Sequence, residues 1–324
     1  MTDAPVSMEA ILDAAQALKG IVTRTPLLES FEANAILGGR LLIKAESMQR
    51  TGAFKIRGAY TRMRHLSGDE RRRGVITYSS GNHAQAVALA ARLLGTSALI
   101  VMPEDTPKAK KDATLSLGAT ITTFDRDTEA SDAIVAHLCR ETGRIEVPPS
   151  GHALIHAGAG TTALELVQQA RETGADLDAV LVPCGGGGLT AATAFVMNAH
   201  APRTQVYAAE PVLFDDTRRS LAAGARVKNP KGQRTICDAI MTPTPNEMTF
   251  AINRRLLAGA VVATDDEVRR AMRFAFQMFR IVIEPGAAGR IDITGRTIAT
   301  IVTGGNVDPA RFCNLISKTP TDKD

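Results

Sequence analysis

Lys55 stands in the stretch Thr51-Gly52-Ala53-Phe54-Lys55-Ile56-Arg57-Gly58-Ala59, between two glycines and just after the apolar run Leu41 to Ala45. A lysine on a short, Gly-bounded turn can be desolvated, lose its proton and attack a carbonyl, which is what a Schiff-base lysine must do. Taken alone it is more often a solvated turn residue. Three further segments bear on it: Ser79-Ser80-Gly81-Asn82-His83, the run Gly185-Gly186-Gly187-Gly188, and Thr303-Gly304-Gly305-Asn306. The glycine run follows the strand-like Ala179 to Pro183 and precedes a helix beginning near Leu189. There, converging backbone N–H groups and a helix N-terminus suit a phosphate. Ser79 to His83 sits between another strand-like run and the helical pattern Ala84 to Leu94, a place that suits a carboxylate; its hydroxyls and amide would otherwise be ordinary caps.

These four segments, in this order and spacing, resemble the fold type II pyridoxal-phosphate enzymes, specifically the serine/threonine dehydratase and serine racemase family, from about Arg24 to Asp308. The resemblance implies a tryptophan synthase β-like α/β fold with two parallel-sheet domains and the active site in the cleft between them. Residues 48–144 would form a small domain, and 1–47 with 145–324 a large, cofactor-binding one. Pyridoxal 5'-phosphate would be carried by Lys55 beside Phe54, with Gly185, Gly186, Gly187 and Gly188 on its phosphate, Asn82 on its ring hydroxyl and Thr303 on its pyridine nitrogen. Glu284 would also belong to this cofactor site. Ser79, Ser80, Gly81, Asn82 and His83 would hold the substrate. Racemases of the family use the serine matching Ser80 as an acid/base on the ring face opposite the lysine. A hydroxyl at Thr303 cannot keep the ring nitrogen protonated as an aspartate would, which favours loss of a β-hydroxyl over transamination.

The same resemblance implies a divalent cation, magnesium, calcium or manganese, held by Glu210, the Phe214 carbonyl and Asp216. These are the hard oxygen ligands such ions prefer. The alternative is that Asp215 and Asp216 cap a helix over Thr217 to Ala223.

The elements that must position these residues alternate along the chain. Strand-like runs lie at Leu41 to Ala45, Gly74 to Tyr78, Ala98 to Met102, Ala119 to Phe124, Ala179 to Pro183, Gln205 to Ala209 and Thr297 to Thr303. Helical spacing marks Met8 to Leu18, Ala84 to Leu94, Pro107 to Leu117, Glu129 to Arg140, Thr161 to Arg171, Thr190 to Asn198 and Asp266 to Phe279. Apolar strands alternating with helices indicate an α/β fold with covered parallel sheets.

The chain of 324 residues is 44% hydrophobic and 22% charged, an ordinary globular composition. Its net charge of +4 and pI near 9.0 come from scattered arginines, with few aromatics, so nucleic-acid binding is not expected. Four widely spaced cysteines form no metal or disulfide pattern. The N-terminus reads unlike a signal peptide and no apolar run approaches a membrane span, so a soluble cytoplasmic protein without membrane partners is expected.

A rival motif, Gly158-Ala159-Gly160-Thr161-Thr162-Ala163 with Asp178 some twenty residues on, fits the dinucleotide fingerprint. Because His152 to Ala157 is a poor strand, a helix start with Thr161 near the cap is the preferred reading. Departures from the family pattern are Ala53 and Ala159, where polar residues are usual, and a connection from Glu284 to Thr297 too short for the usual helix. That link is barely long enough for a parallel crossover, so the last strand should lie at an awkward angle or lose cover on one face.

The expected function is a pyridoxal-phosphate-dependent ammonia-lyase converting L-threonine or L-serine to a 2-oxo acid and ammonia, without a C-terminal regulatory domain and as the homodimer usual in the family. The alternatives are a serine racemase or 3-hydroxyaspartate dehydratase on the same scaffold. From other classes they are a nucleotide-binding dehydrogenase or a non-catalytic binding protein.

Overall fold

The computed structural model describes residues 6–125, 128–286 and 291–317. Among these, ten strands form two sheets. Strands β1 (Leu27–Glu29), β2 (Arg40–Ala45), β7 (Ala179–Pro183), β8 (Gln205–Pro211), β9 (Gly259–Ala263) and β10 (Thr297–Val302) make a six-stranded sheet in the order β1-β2-β10-β7-β8-β9. Only β1 runs antiparallel. The second sheet is parallel throughout, in the order β5 (Thr120–Phe124), β4 (Ala98–Pro103), β3 (Val75–Tyr78), β6 (Ile145–Glu146). Each sheet has its own apolar core, so the chain folds as two parallel-sheet α/β domains.

The larger core packs the Ala153–Glu172 and Gly188–His200 helices and the Met8–Ala17 helix against Leu42, Val180, Val182, Ala299 and Ile301. The smaller packs the Lys55–Arg64 and Asn82–Leu94 helices against Val75, Ala98, Ile100 and Met102. β7 is buried at every position, as a central parallel strand must be. Helix starts are set by local chemistry: Ser7 accepts from Ala10 N at 3.1 Å, and Ser67 with Glu70 and Thr264 with Glu267 form capping boxes.

The strand after the short connection does not lie awkwardly. β10 is central, pairing in register with β2 from Thr297↔Arg40 to Val302↔Ala45 and with β7 from Ile298↔Ala179 to Thr300↔Leu181. Residues 287–290 of that connection lie outside the described residues. Beyond them, Ile291 and Ile293 pack on Ala179, Leu181 and Ile298 and cover the start of the sheet face. Among the described residues, a cavity of about 140 Å³ lies further along that face, lined by Leu41, Ile43, Met272, Phe274, Thr300 and Val302.

Candidate active site

Lys55 is the first residue of the Lys55–Arg64 helix rather than a residue of a flexible turn. The turn lies just before it, where Thr51 has φ 63 and Gly52 φ 68. Two closures fix the helix start. Ala53 bridges Gly304, and Phe54 N donates to Thr303 O at 3.0 Å. Two residues on, the fully buried Arg57 donates to both carboxylate oxygens of Glu46 (each 2.8 Å) and to both of Glu165 (2.7 and 2.9 Å), while Lys44 Nζ donates to Glu165 at 2.6 Å. Such bidentate geometry fixes direction as well as distance.

The Lys55 ammonium donates to Pro149 O at 2.9 Å and stands 5.3 Å from the Phe54 ring centre. Desolvation pushes its pKa down to about 8, against the opposing pull of Glu284. Glu284 is itself pushed up to about 7 by desolvation, although Asn82 Nδ2 donates to its Oε1 at 2.6 Å. Asn306 Nδ2 then donates to Asn82 Oδ1 at 2.8 Å and to Thr51 O at 2.7 Å, so one polar chain runs from Glu284 back to the turn before Lys55.

Two imidazoles complete the surroundings. His83 is buried with Nε2 2.9 Å from Val147 O, and burial with the nearby Lys55 charge brings its pKa down to about 3. The same causes bring His156 down to about 4, and its Nε2 accepts from Gly151 N at 3.2 Å. Both rings are neutral, and the Nδ1 of each is buried without a partner. Ser79 N donates to Val101 O at 3.1 Å, and Gly81 N donates to Ser79 Oγ at 3.2 Å, which shapes the turn that presents Ser80 ahead of the Asn82–Leu94 helix.

The glycine run lies between β7 and the Gly188–His200 helix, with Gly187 as N-cap at φ 83. A side chain there would be strained, and its Cβ would stand 2.8 Å from Asn253 Nδ2. Thr249 Oγ1 holds the loop from behind by donating to Gly186 O at 2.6 Å. The run meets the lysine through the 149–156 segment. Pro149 accepts from Lys55, Ser150 packs against Gly186, and His156 packs against Gly188. A lysine amine of lowered pKa, a glycine-lined helix N-terminus and an amide at Asn82 thus surround one space. That donor set fits a phosphorylated aldehyde cofactor.

The loop after β8 resolves the capping question. Glu210, not Asp215 or Asp216, caps the Asp216–Ala223 helix, accepting from Thr217 N and Arg218 N at 2.8 Å each. Asp215 pairs with Arg218 and Arg219. Asp216 accepts from Asn229 Nδ2 at 2.6 Å through Oδ1, while its Oδ2 is buried without a partner. Burial pushes Glu210 up to about 8 and Asp216 up to about 6. Among the described residues no group of three or more His, Cys, Asp or Glu side chains gathers. The buried, unpartnered Asp216 Oδ2 is the observation in this loop that a hard cation would satisfy.

The dinucleotide fingerprint is overturned, as is a helix start at Thr161. Gly158 to Ala163 lie inside a helix that begins at Ala153, capped by His152, whose Nδ1 accepts from Leu154 N at 3.1 Å. The small residues serve packing: a Cβ on Gly158 would come 2.3 Å from Arg57 O, so the two helices approach nearly backbone to backbone. Asn306, His156 and Pro149 also line the site, although the sequence assigns none of them a role. Asn306 belongs to the fourth glycine-bearing segment, whereas nothing local marks the other two.

Two parallel-sheet domains of this kind define the tryptophan synthase β-like class, the fold type II architecture. Residues 18–296 match the family described as pyridoxal-phosphate dependent enzyme, and the chain belongs to that family. It is 39% identical to L-threo-3-hydroxyaspartate ammonia-lyase of Saccharomyces cerevisiae, with 95% of each chain covered. It is 38% identical to the enzyme of that name from Pseudomonas sp., over 96% of this chain and 98% of the other. The structure of maize serine racemase superposes with a TM-score of 0.89 at 32% identity, covering 96% of this chain and 97% of that one. Among the described residues no helix is long and apolar enough to cross a membrane.

Proposed function

We propose that this chain is an ammonia-lyase of small β-hydroxy amino acids, with 3-hydroxyaspartate as its preferred substrate ahead of threonine and serine. The observation that carries the preference is the 38–39% identity, over nearly the whole length of both chains, to two ammonia-lyases named for L-threo-3-hydroxyaspartate. It takes the place of the threonine or serine reading that the motifs first suggest. In this reading residues 48–144, extended by β6, form the small domain over the cleft.

Bound pyridoxal phosphate supplies an electron sink for the charge that develops at the substrate Cα. Lys55 would carry it, Gly185 to Gly188 would hold its phosphate at the helix N-terminus, and Asn82 and Thr303 would flank its ring. Lys55 Nζ, with a pKa of about 8, takes the Cα proton as general base. The substrate α-carboxylate is received by the Ser79–Asn82 turn. Loss of the β-hydroxyl as water and hydrolysis of the resulting imine by water give a 2-oxo acid and ammonia. Neutral His83 and His156 add no competing positive charge beside the lysine. Ser80 is the residue available to return a proton to Cα, which makes slow racemisation of serine a side reaction.

Parallel assays of oxaloacetate from L-threo-3-hydroxyaspartate, pyruvate from L-serine and 2-oxobutyrate from L-threonine test the proposal. The kcat/KM for hydroxyaspartate should exceed the others at least tenfold; a higher value for serine or threonine overturns the preference. Chiral chromatography showing D-serine formed faster than pyruvate would replace the lyase reading by a racemase. We assign the divalent cation to Glu210, Asp216 and the Phe214 carbonyl on the strength of the orphaned Asp216 oxygen. Millimolar calcium or magnesium should then raise the melting temperature of the chelator-treated protein but not of its Asp216→Asn variant. An unchanged melt in the parent leaves Glu210 as a helix cap alone.

A further inference from the structure

One cation reaches across the cleft from the four-stranded side. Lys110 lies in the first turn of the Lys108–Ser116 helix, where Lys108 is paired with Asp112 and Lys111 Nζ donates to Glu104 O at 2.8 Å. Lys110 Nζ instead reaches Asp238 Oδ2 at 3.4 Å, in the Asp238–Ile240 turn of the other domain. That turn packs on the glycine run, since the Ile240 Cα lies 3.2 Å from where a Cβ on Gly185 would stand. Lys110 is therefore suspended beside the cofactor cradle. It is also close enough to Glu284 to favour that carboxylate's ionised form.

The pairing is built to be exchanged. At 3.4 Å the Lys110 contact is long for a charged pair. Asp238 has a second cation, because Arg311 Nη1 stands 3.2 Å from the same oxygen while its Nη2 donates to Ile236 O at 3.0 Å. If Lys110 turns away, Asp238 keeps a partner and no carboxylate is left uncompensated. An amino acid with its amine at Lys55 and its α-carboxylate at the Ser79–Asn82 turn has only its β-substituent left to meet a further charge.

We propose that Lys110 is a specificity-determining residue that exchanges Asp238 for the second carboxylate of a dicarboxylic β-hydroxy amino acid. The inference rests on the substrate reading above and names the group that would enforce it. A charged partner held by a flexible lysine distinguishes hydroxyaspartate from serine and threonine by attraction, and needs no rigid pocket.

Two variants break the same ion pair from opposite sides. Lys110→Gln should lower the ratio of kcat/KM for L-threo-3-hydroxyaspartate to that for L-serine at least tenfold. Asp238→Asn should leave that ratio unchanged or raise it, because Lys110 loses a competitor. Equal falls in both variants would make the pair a domain latch and overturn the assignment, as would an unchanged ratio in Lys110→Gln. L-Aspartate and L-alanine, which lack a β-hydroxyl, give a reading independent of turnover. Their dissociation constants, titrated by the visible absorbance of the holoenzyme, should show aspartate weakened at least tenfold relative to alanine by Lys110→Gln; no such weakening refutes the proposal. If the parent releases no ammonia from hydroxyaspartate but aspartate binding depends on Lys110, the proposed function fails and the carboxylate contact stands. If hydroxyaspartate is turned over with equal preference in Lys110→Gln, the contact alone fails.

Discussion

The sharpest prediction concerns the proton on Lys55 in cofactor-free protein. With a pKa of about 8, half of this amine is unprotonated at pH 8. A solvated lysine of pKa about 10.4 has well under about 1% free amine there, so Lys55 should carry on the order of 100-fold more of the reactive form. Competitive labelling with trace reductive methylation, followed by peptide mass spectrometry between pH 6 and 11, measures this for every lysine at once. Normalising each residue to its own high-pH plateau removes differences in access. Lys55 should titrate near 8, and Glu284→Gln should move it lower, because the Glu284 charge favours the ammonium. The linkage has a definite sign. Between about 8 and the unfolded value the unfolded chain binds the extra proton, so stability rises with pH in that window. Lys55→Met should accordingly melt above the parent at pH 7, with the gap closing by about pH 10.5. A Lys55 profile that coincides with those of exposed lysines would refute the desolvated-amine reading.

Substitutions at Arg57 and Gly158 test the frame behind the lysine. Arg57→Met strips the fully buried Glu46 of its bidentate partner and should cost about 3–5 kcal/mol, read as a lower urea midpoint; a loss under about 1 kcal/mol would mean the network is not stabilising. Arg57→Lys should recover little, since an ammonium cannot reproduce both forks. Gly158→Ala places a Cβ 2.3 Å from Arg57 O and should cost about 1–3 kcal/mol while weakening pyridoxal phosphate binding, because the displaced helix begins with Lys55. An unchanged melting temperature would show that the helices separate freely.

The alternation of strands and helices was legible because β7 and β4 are continuous apolar runs and β10 breaks its own only at Thr297 and Thr300. Of the four edge strands, β5 was legible and β1, β6 and β9 were not. β1 has three residues and β6 two, too few to show a period. The helix that carries Lys55 was hidden by its composition. Its polar Arg57 and Gly58 read as a turn, yet both are fully buried, one by ion pairs and the other against Ile155. The glycine run could be found because four glycines between a strand and a helix have few other uses. Asn82 with Glu284, and Lys110 with Asp238, are 202 and 128 residues apart and meet only through the fold, so no window of sequence contains either pair.

The electrostatics of the pocket follow from which groups are left charged. Desolvation penalises every ion near Lys55, yet it acts in opposite senses on acids and bases. It makes both imidazoles neutral, at about 3 and about 4, so neither contributes charge near neutral pH. It brings Glu284 up to about 7 and Lys55 down to about 8, which leaves these two as the groups that titrate across the neutral range. Between the two values the carboxylate and ammonium are both mainly ionised and stabilise each other. Above about 8 the amine becomes free while Glu284 stays ionised, held by Asn82, which Asn306 ties to the turn before Lys55. The pocket is therefore arranged to release one proton, from the lysine, as the pH rises through 8. Arg57, anchored between Glu46 and Glu165, keeps that amine's helix in place whatever its charge.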